Sequence, residues 1–312
     1  MNWFGAEIDG PMVVARAVHF AATATTAGAL MFRAVVAEPA LRSDGKTGLV
    51  VDRRIRDLAW AGLAVALVSG VGWLLLQTSA MSGQPCGEVV VSGALITVLN
   101  ETQFGLVTEI RFVLALALAI CLAYDRLLLP RWLALGAALC LVAAIAWTGH
   151  AASTPHKLGY LHLTADALHL YAAAAWTGGL MSLLLLLKAV RNDRAAAETE
   201  LDAVRRFSLL GMTGVATLVL TGIINAWILV GSFRGLIATD YGWILLLKIA
   251  LFCAMVGFAA VNRFWLTPRL ALPGNALRNL TRNTKAEIAL ALLVFAVVGV
   301  LGTLHPAAHL VK

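Results

Sequence analysis

The sequence predicts an all-α polytopic membrane protein, a bundle of eight transmembrane helices with both termini on the outer side of the membrane. Three observations carry this. The 312-residue chain is 60% hydrophobic and 13% charged, with a mean hydropathy of +0.84, where a soluble domain carries about 25% charged residues. Eight apolar stretches are each long enough for the ~30 Å hydrocarbon core, which takes about 20 helical residues. Lys and Arg concentrate in alternate loops, the mark of a fixed orientation.

Taken in order, the first span lies near 11–36 and carries Arg16, His19, Thr23 and Thr26 on one face of an otherwise apolar helix. It does not read as a cleavable signal, because Glu7 and Asp9 precede it and Arg16 and His19 interrupt it. The second span lies near 56–77. The apolar stretch 89–99 that follows is too short to cross and reads as interfacial or re-entrant. The third, near 104–124, has Glu109 and Arg111 toward its outer end, and the fourth, near 131–150, closes on His150. The fifth, near 160–187, holds His162, Asp166 and His169 at i, i+4 and i+7, one helical face. The sixth, near 207–230, has Gly211, Gly214 and Gly222 for close packing. The seventh, near 242–266, repeats Tyr241, Lys248, Met255 and Asn262 at seven-residue spacing, and the eighth, near 286–305, ends at His305. No break divides the chain, which reads as a single transmembrane domain over 1–312.

Orientation follows from the basic residues. Arg42, Lys46, Arg53, Arg54 and Arg56 follow the first span, and Arg126 and Arg131 the third. Lys188, Arg191, Arg194, Arg205 and Arg206 follow the fifth, and Arg263, Arg269, Arg278, Arg282 and Lys285 the seventh. The opposite side has Lys157, Arg234 and Lys312. The positive-inside rule then puts both termini outside. The net charge of +7 is a topology signal; no nucleic-acid partner is needed to explain it.

With that orientation all 7 histidines fall in the outer half. His19 and His169 lie roughly 12–15 Å below the outer boundary at 1.5 Å per residue. His150, His156, His162, His305 and His309 surround the mouth above them. Neutral imidazole binds copper, zinc, nickel or iron, so metal ligation is the simplest cause of this one-sided distribution. Met12 adds a soft thioether on the same side. Asp166 is expected to orient a histidine ligand as a hydrogen-bonded carboxylate. Arg16, Trp176 and Lys248 are expected around the ligands, although Arg16 and Lys248 could equally snorkel to the interface. Cys86, Cys121, Cys140 and Cys253 lie far apart and suggest neither a disulfide framework nor a thiolate cage. No nucleophile elbow, phosphate loop, dinucleotide fingerprint or metalloprotease motif is present, and no enzymatic activity is expected. Two midplane histidines leave open a b-type cytochrome with bis-His haem ligation. A non-transporting copper sensor or assembly factor is a further alternative.

Several stretches resemble the CopD family of bacterial inner-membrane copper proteins: TQFG at 102–105 followed by Arg111, WTGHA at 147–151, and DALHLYAAAAWTGGL at 166–180. YGWILLLKIALF at 241–252, NRFWLTPRL at 262–270 and LGTLHPAAH at 301–309 complete the set. The similarity is strongest over 147–309. It implies an inner-membrane protein of copper homeostasis or resistance that takes copper from the periplasm toward the cytoplasm. It also implies a small periplasmic copper-binding partner of the CopC type. With an N-terminal tail of about ten residues, that partner is expected to be a separate protein. The oxidation state of the copper stays open, since imidazole accepts Cu(II) and also holds Cu(I).

Overall fold

The structure, a computed structural model, describes residues 2–3, 6–7, 9–41, 45–125, 127–149, 154, 156–190, 197–270, 272 and 274–310. The described α-helices of five or more residues are α1 (Gly10–Phe32), α2 (Gly45–Ser82), α3 (Ala94–Glu101), α4 (Gln103–Ala123) and α5 (Leu128–Ala143). They continue with α6 (His156–Val190), α7 (Ala197–Val230), α8 (Phe233–Ile237), α9 (Asp240–Val261) and α10 (Ala276–Leu301). A π-helical turn extends α1 over Arg33–Ala37, and another extends α9 over Asn262–Leu266. Eight of these helices are long and apolar enough to cross a membrane.

The small residues of 21–29 make α1 the axis of the bundle. In lipid, helices associate through close packing and hydrogen bonds, because the surrounding tails are as apolar as any side chain. Where α1 meets α6, a Cβ on Gly28 would lie 1.9 Å from the Ala174 carbonyl oxygen, and one on Gly178 would lie 2.7 Å from the Gly28 Cα. Only glycine fits at that crossing. As a result 78% of the apolar stretch of α1 and 67% of that of α6 is buried, against 6% for α9, which lies at the rim. Val68, Leu116, Leu220 and Trp243 point outward, as a lipid-facing surface requires.

The basic end is fastened by ions. The Arg33 guanidinium, almost fully buried, donates to Asp52 at 2.7 Å and to Asp125 at 2.6 Å, and Arg56 donates to Asp125 at 2.9 Å. Arg131 adds a bridge to Glu38 at 3.0 Å. Burial pushes the Asp125 carboxyl up, but the hydrogen bonds from Arg33 and Arg56 outweigh it and hold the group below the usual carboxylate range. The ends of α1, α2 and α5 and the loop after α4 are thereby tied together.

Most spans match their expected positions, with differences at the ends. α2 starts at Gly45, not near 56, because Asp52 and Arg56 belong to the ion network and are helical. α10 starts at Ala276, so Arg278, Arg282 and Lys285 ride on the helix. It stops at Leu301, where Gly302 and the approaching Pro306 end it, and His305 follows in the loop. The expected short segment at 89–99 is the eight-residue α3, which does not cross.

Candidate functional site

His169 sits on α6 against α7. Its Nδ1 is 2.9 Å from the Thr221 Oγ1, and that hydroxyl donates its own proton to the Thr217 carbonyl at 2.6 Å. The threonine oxygen must therefore accept, which makes Nδ1 the protonated nitrogen and leaves the Nε2 lone pair in place. Nε2 has no hydrogen-bond partner among the described residues. This is the tautomer a metal needs, fixed by a partner on the far nitrogen.

One turn back along α6, Asp166 accepts from the Asn225 Nδ2 of α7 at 3.3 Å. Lys248 of α9 lies close enough to interact electrostatically with both Asp166 and His169, and Tyr241 with Asp166. Lys248 thus faces Asp166 electrostatically, without an ion pair between them among the described residues. A further turn back, His162 is 1% exposed, with its Nδ1 2.7 Å from the Thr154 Oγ1. His162, Asp166 and His169 share one face of α6 as expected, but Asp166 hydrogen-bonds Asn225 and does not orient a histidine as expected, since Thr221 holds His169.

His19 occupies a different setting. Its Nδ1 donates to the Ala66 carbonyl of α2 at 2.8 Å, with Ser69 Oγ at 3.3 Å. Nε2 is then the acceptor, and the Arg111 guanidinium of α4 fills it. The two deep histidines face different helices, His19 toward α2 and α4 and His169 toward α7. Among the described residues, no three His, Cys, Asp or Glu side chains converge as a metal cage would need. The cavity beside His19 measures about 30 Å³, far below the ~300 Å³ or more of ordinary cofactor pockets. Bis-His haem ligation has no geometric basis there.

The remaining expected residues divide as follows. His305 is exposed beyond α10. His150 lies outside the described residues, as do the side chains of His156 and His309. Met12 packs in an apolar cluster with Phe20 and Trp73, and its backbone N–H is capped by Asp9 at 3.2 Å. Arg16 packs on the Trp73 ring, 5.1 Å from its centroid. Trp176, two turns along the same face of α6, stacks edge-on with Phe252 at 5.9 Å and lies close to the Glu287 carboxyl.

Glu287 is a buried acid that the sequence reading misses. It is 2% exposed and also accepts from the Asn262 Nδ2 at 2.6 Å, while Asn283 donates to the Asn262 Oδ1 at 2.9 Å. Beside it a cavity of about 320 Å³ opens between α7 and α9, lined among others by Met212, Asn262, Thr284 and Glu287. The π-helical turn at Asn262–Leu266 sits at this cavity, and such turns recur at functional sites.

Comparison with known proteins fits this architecture. The family model described as "Copper resistance protein D-like, N-terminal domain" matches residues 7–160, and "Copper resistance protein D" matches residues 201–301. The chain is 31% identical to the copper resistance protein D of Pseudomonas syringae pv. tomato, over 80% of this chain and 84% of that protein. It is 29% identical to the inner membrane protein YebZ of Escherichia coli K12, over 94% of this chain and 98% of the other. It is 31% identical to the copper transport protein CutJ of Bacillus subtilis 168, over 79% of this chain and 45% of that longer protein. No solved structure matches. A bundle of eight apolar helices, relatives matched along most of their length and family models over both halves lead to one assignment: the chain belongs to the copper resistance protein D family of multi-pass bacterial inner-membrane proteins.

Proposed function

We propose that the protein captures copper on the periplasmic side and passes it inward, with His169 as the first deep ligand. The observation that carries this is the His169 imidazole, held by Thr221 with its Nε2 lone pair unengaged, one turn along the same helix from Asp166. His162 and His305, with His150, His156 and His309, are the proposed ligands nearer the surface. A separate periplasmic copper-binding protein is the proposed donor. Asp166 offsets the charge of the arriving ion, for which it exchanges its interaction with Lys248. His19 joins the pathway only if Arg111 leaves its Nε2. On the inner half, where histidines are absent, Glu287 and Met212 offer an oxygen and a thioether around one cavity, and both suit a copper ion in transit. The relatives named for copper resistance and copper transport support the cargo.

The test is copper bound per protein in the purified chain, measured by metal analysis together with absorption spectra. His169→Ala is expected to weaken copper binding by at least about tenfold, equivalent to ~1.4 kcal/mol, and His19→Ala by less. Unchanged copper binding and unchanged cellular copper after replacing both His169 and His19 by Ala would sink the reading.

A further inference from the structure

Two arginines lie buried at the histidine-bearing end of the N-terminal helices with no acid among the described residues to neutralise them. Arg16 of α1 is 8% exposed and Arg111 of α4 is 6% exposed. Every carboxylate that pairs with a base among the described residues does so elsewhere, on Arg33, Arg56, Arg131 or Arg206. Glu109, the acid nearest Arg111 in the chain, is exposed and lies on another face of α4. Both guanidiniums stack on the indole of Trp73, 5.1 and 5.6 Å from its centroid. The ring is 2% exposed and offsets part of their charge.

Three N–H groups of this cluster are buried and have no acceptor: Arg16 Nε, Arg111 Nε and Trp73 Nε1. A buried donor without a partner is costly, and a buried charge more so. Trp73 and Arg111 line a cavity of about 30 Å³ together with His19, Phe104 and Thr108 among others, and Arg16 lies across the Trp73 ring from them. That space holds one or two water-sized particles. Its remaining wall is apolar, from Leu63, Leu67, Ala115 and Leu141. Water alone would satisfy a donor but would leave two positive charges uncompensated.

We propose that Arg16, Trp73 and Arg111 form a binding site for one small monoanion, a halide or a compact carboxylate, seated in the cavity beside Trp73. Arg111 and the indole N–H donate to it, and Arg16 supplies the second positive charge across the ring. The cavity size favours a spherical halide over a carboxylate, and excludes phosphate-sized ions. The site is separate from His169, which faces α7, and does not depend on copper transport.

The full chain, purified in detergent and kept at constant ionic strength with gluconate, tests this by thermal unfolding while chloride, bromide or formate replaces gluconate. The wild type is expected to gain Tm saturably with chloride and bromide. An added response to formate marks a carboxylate site, and a response to halides alone marks a halide site. Arg111→Gln and Arg16→Gln are expected to shift the midpoint of that response by at least about tenfold. Trp73→Phe keeps an aromatic face beneath the two guanidiniums but loses the indole N–H and part of the ring volume; its Tm without halide shows whether it folds, and its halide response is expected to be weaker. The absence of any saturable effect in the wild type, or one midpoint shared by the wild type, Trp73→Phe and whichever arginine variant folds, would overturn the proposal.

Discussion

At the scale of single residues, the hydrogen bond on the far nitrogen decides what each histidine can do. His169 and His19 both carry their proton on Nδ1, one held by Thr221 and the other by Ala66. They differ at Nε2, which Arg111 occupies in His19 alone. Thr221→Val removes the acceptor that holds the His169 tautomer and is expected to weaken copper binding about 10–100-fold, as loss of such supporting partners does. Competition with a chromophoric chelator measures this, and an unchanged affinity would count against the role of Thr221. At the other end of the bundle, Asp125→Asn breaks a buried pair with Arg33 and is expected to cost about 3–5 kcal/mol. Because the folded-state carboxyl lies below its unfolded value, its contribution is fully present above the unfolded pKa of about 3.9. It is lost as pH falls through the lower folded value. Thermal unfolding of wild type and Asp125→Asn should therefore differ by a constant amount near neutral pH and converge in acid.

At the scale of elements, the α1–α6 crossing holds the two halves in register. Gly178→Val places a branched side chain against the Gly28 Cα and the Thr25 carbonyl, both within 3 Å of the position a Cβ would take. It is expected to lower thermal stability by about 1–3 kcal/mol or more, read as a drop in Tm in detergent. What the sequence reveals divides along the same line. Helix periodicity places His162, Asp166 and His169 on one face, and the structure keeps them there, because spacing within one helix is local geometry. The pairing of His19 with His169 rests on depth alone. Depth says nothing of the direction in which each side chain points about its helix axis, and the two face different neighbours. Glu287 stays hidden because the hydropathy window begins the last span at 286, which makes the residue look like a boundary acid. The helix begins at Ala276, so Glu287 lies well inside it. The π-helical turns at Arg33–Ala37 and Asn262–Leu266 leave no signature in composition at all.

At the scale of the whole molecule, the two family models cover 7–160 and 201–301, and α6 runs between them. The N-terminal part carries the Arg16–Trp73–Arg111 cluster. His169 and Asp166 hydrogen-bond across the α6–α7 contact, and Glu287 lies further along the same group of helices. The basic loops predict periplasmic termini, and alkaline phosphatase joined after residue 310 is expected to be active in cells, while a fusion in the loop before α7 is expected to be inactive. The reverse pattern would invert the proposed direction of capture. The central claim is that copper crosses the membrane by way of His169. Its most direct test is copper accumulation in sealed proteoliposomes of known protein orientation, comparing the wild type with His169→Ala at equal protein content. The account predicts time-dependent internal copper for the wild type, supplied to the histidine-bearing face, and a loss of at least about tenfold in the variant. Equal accumulation by the two proteins, or none by a folded, copper-binding wild type, would contradict it.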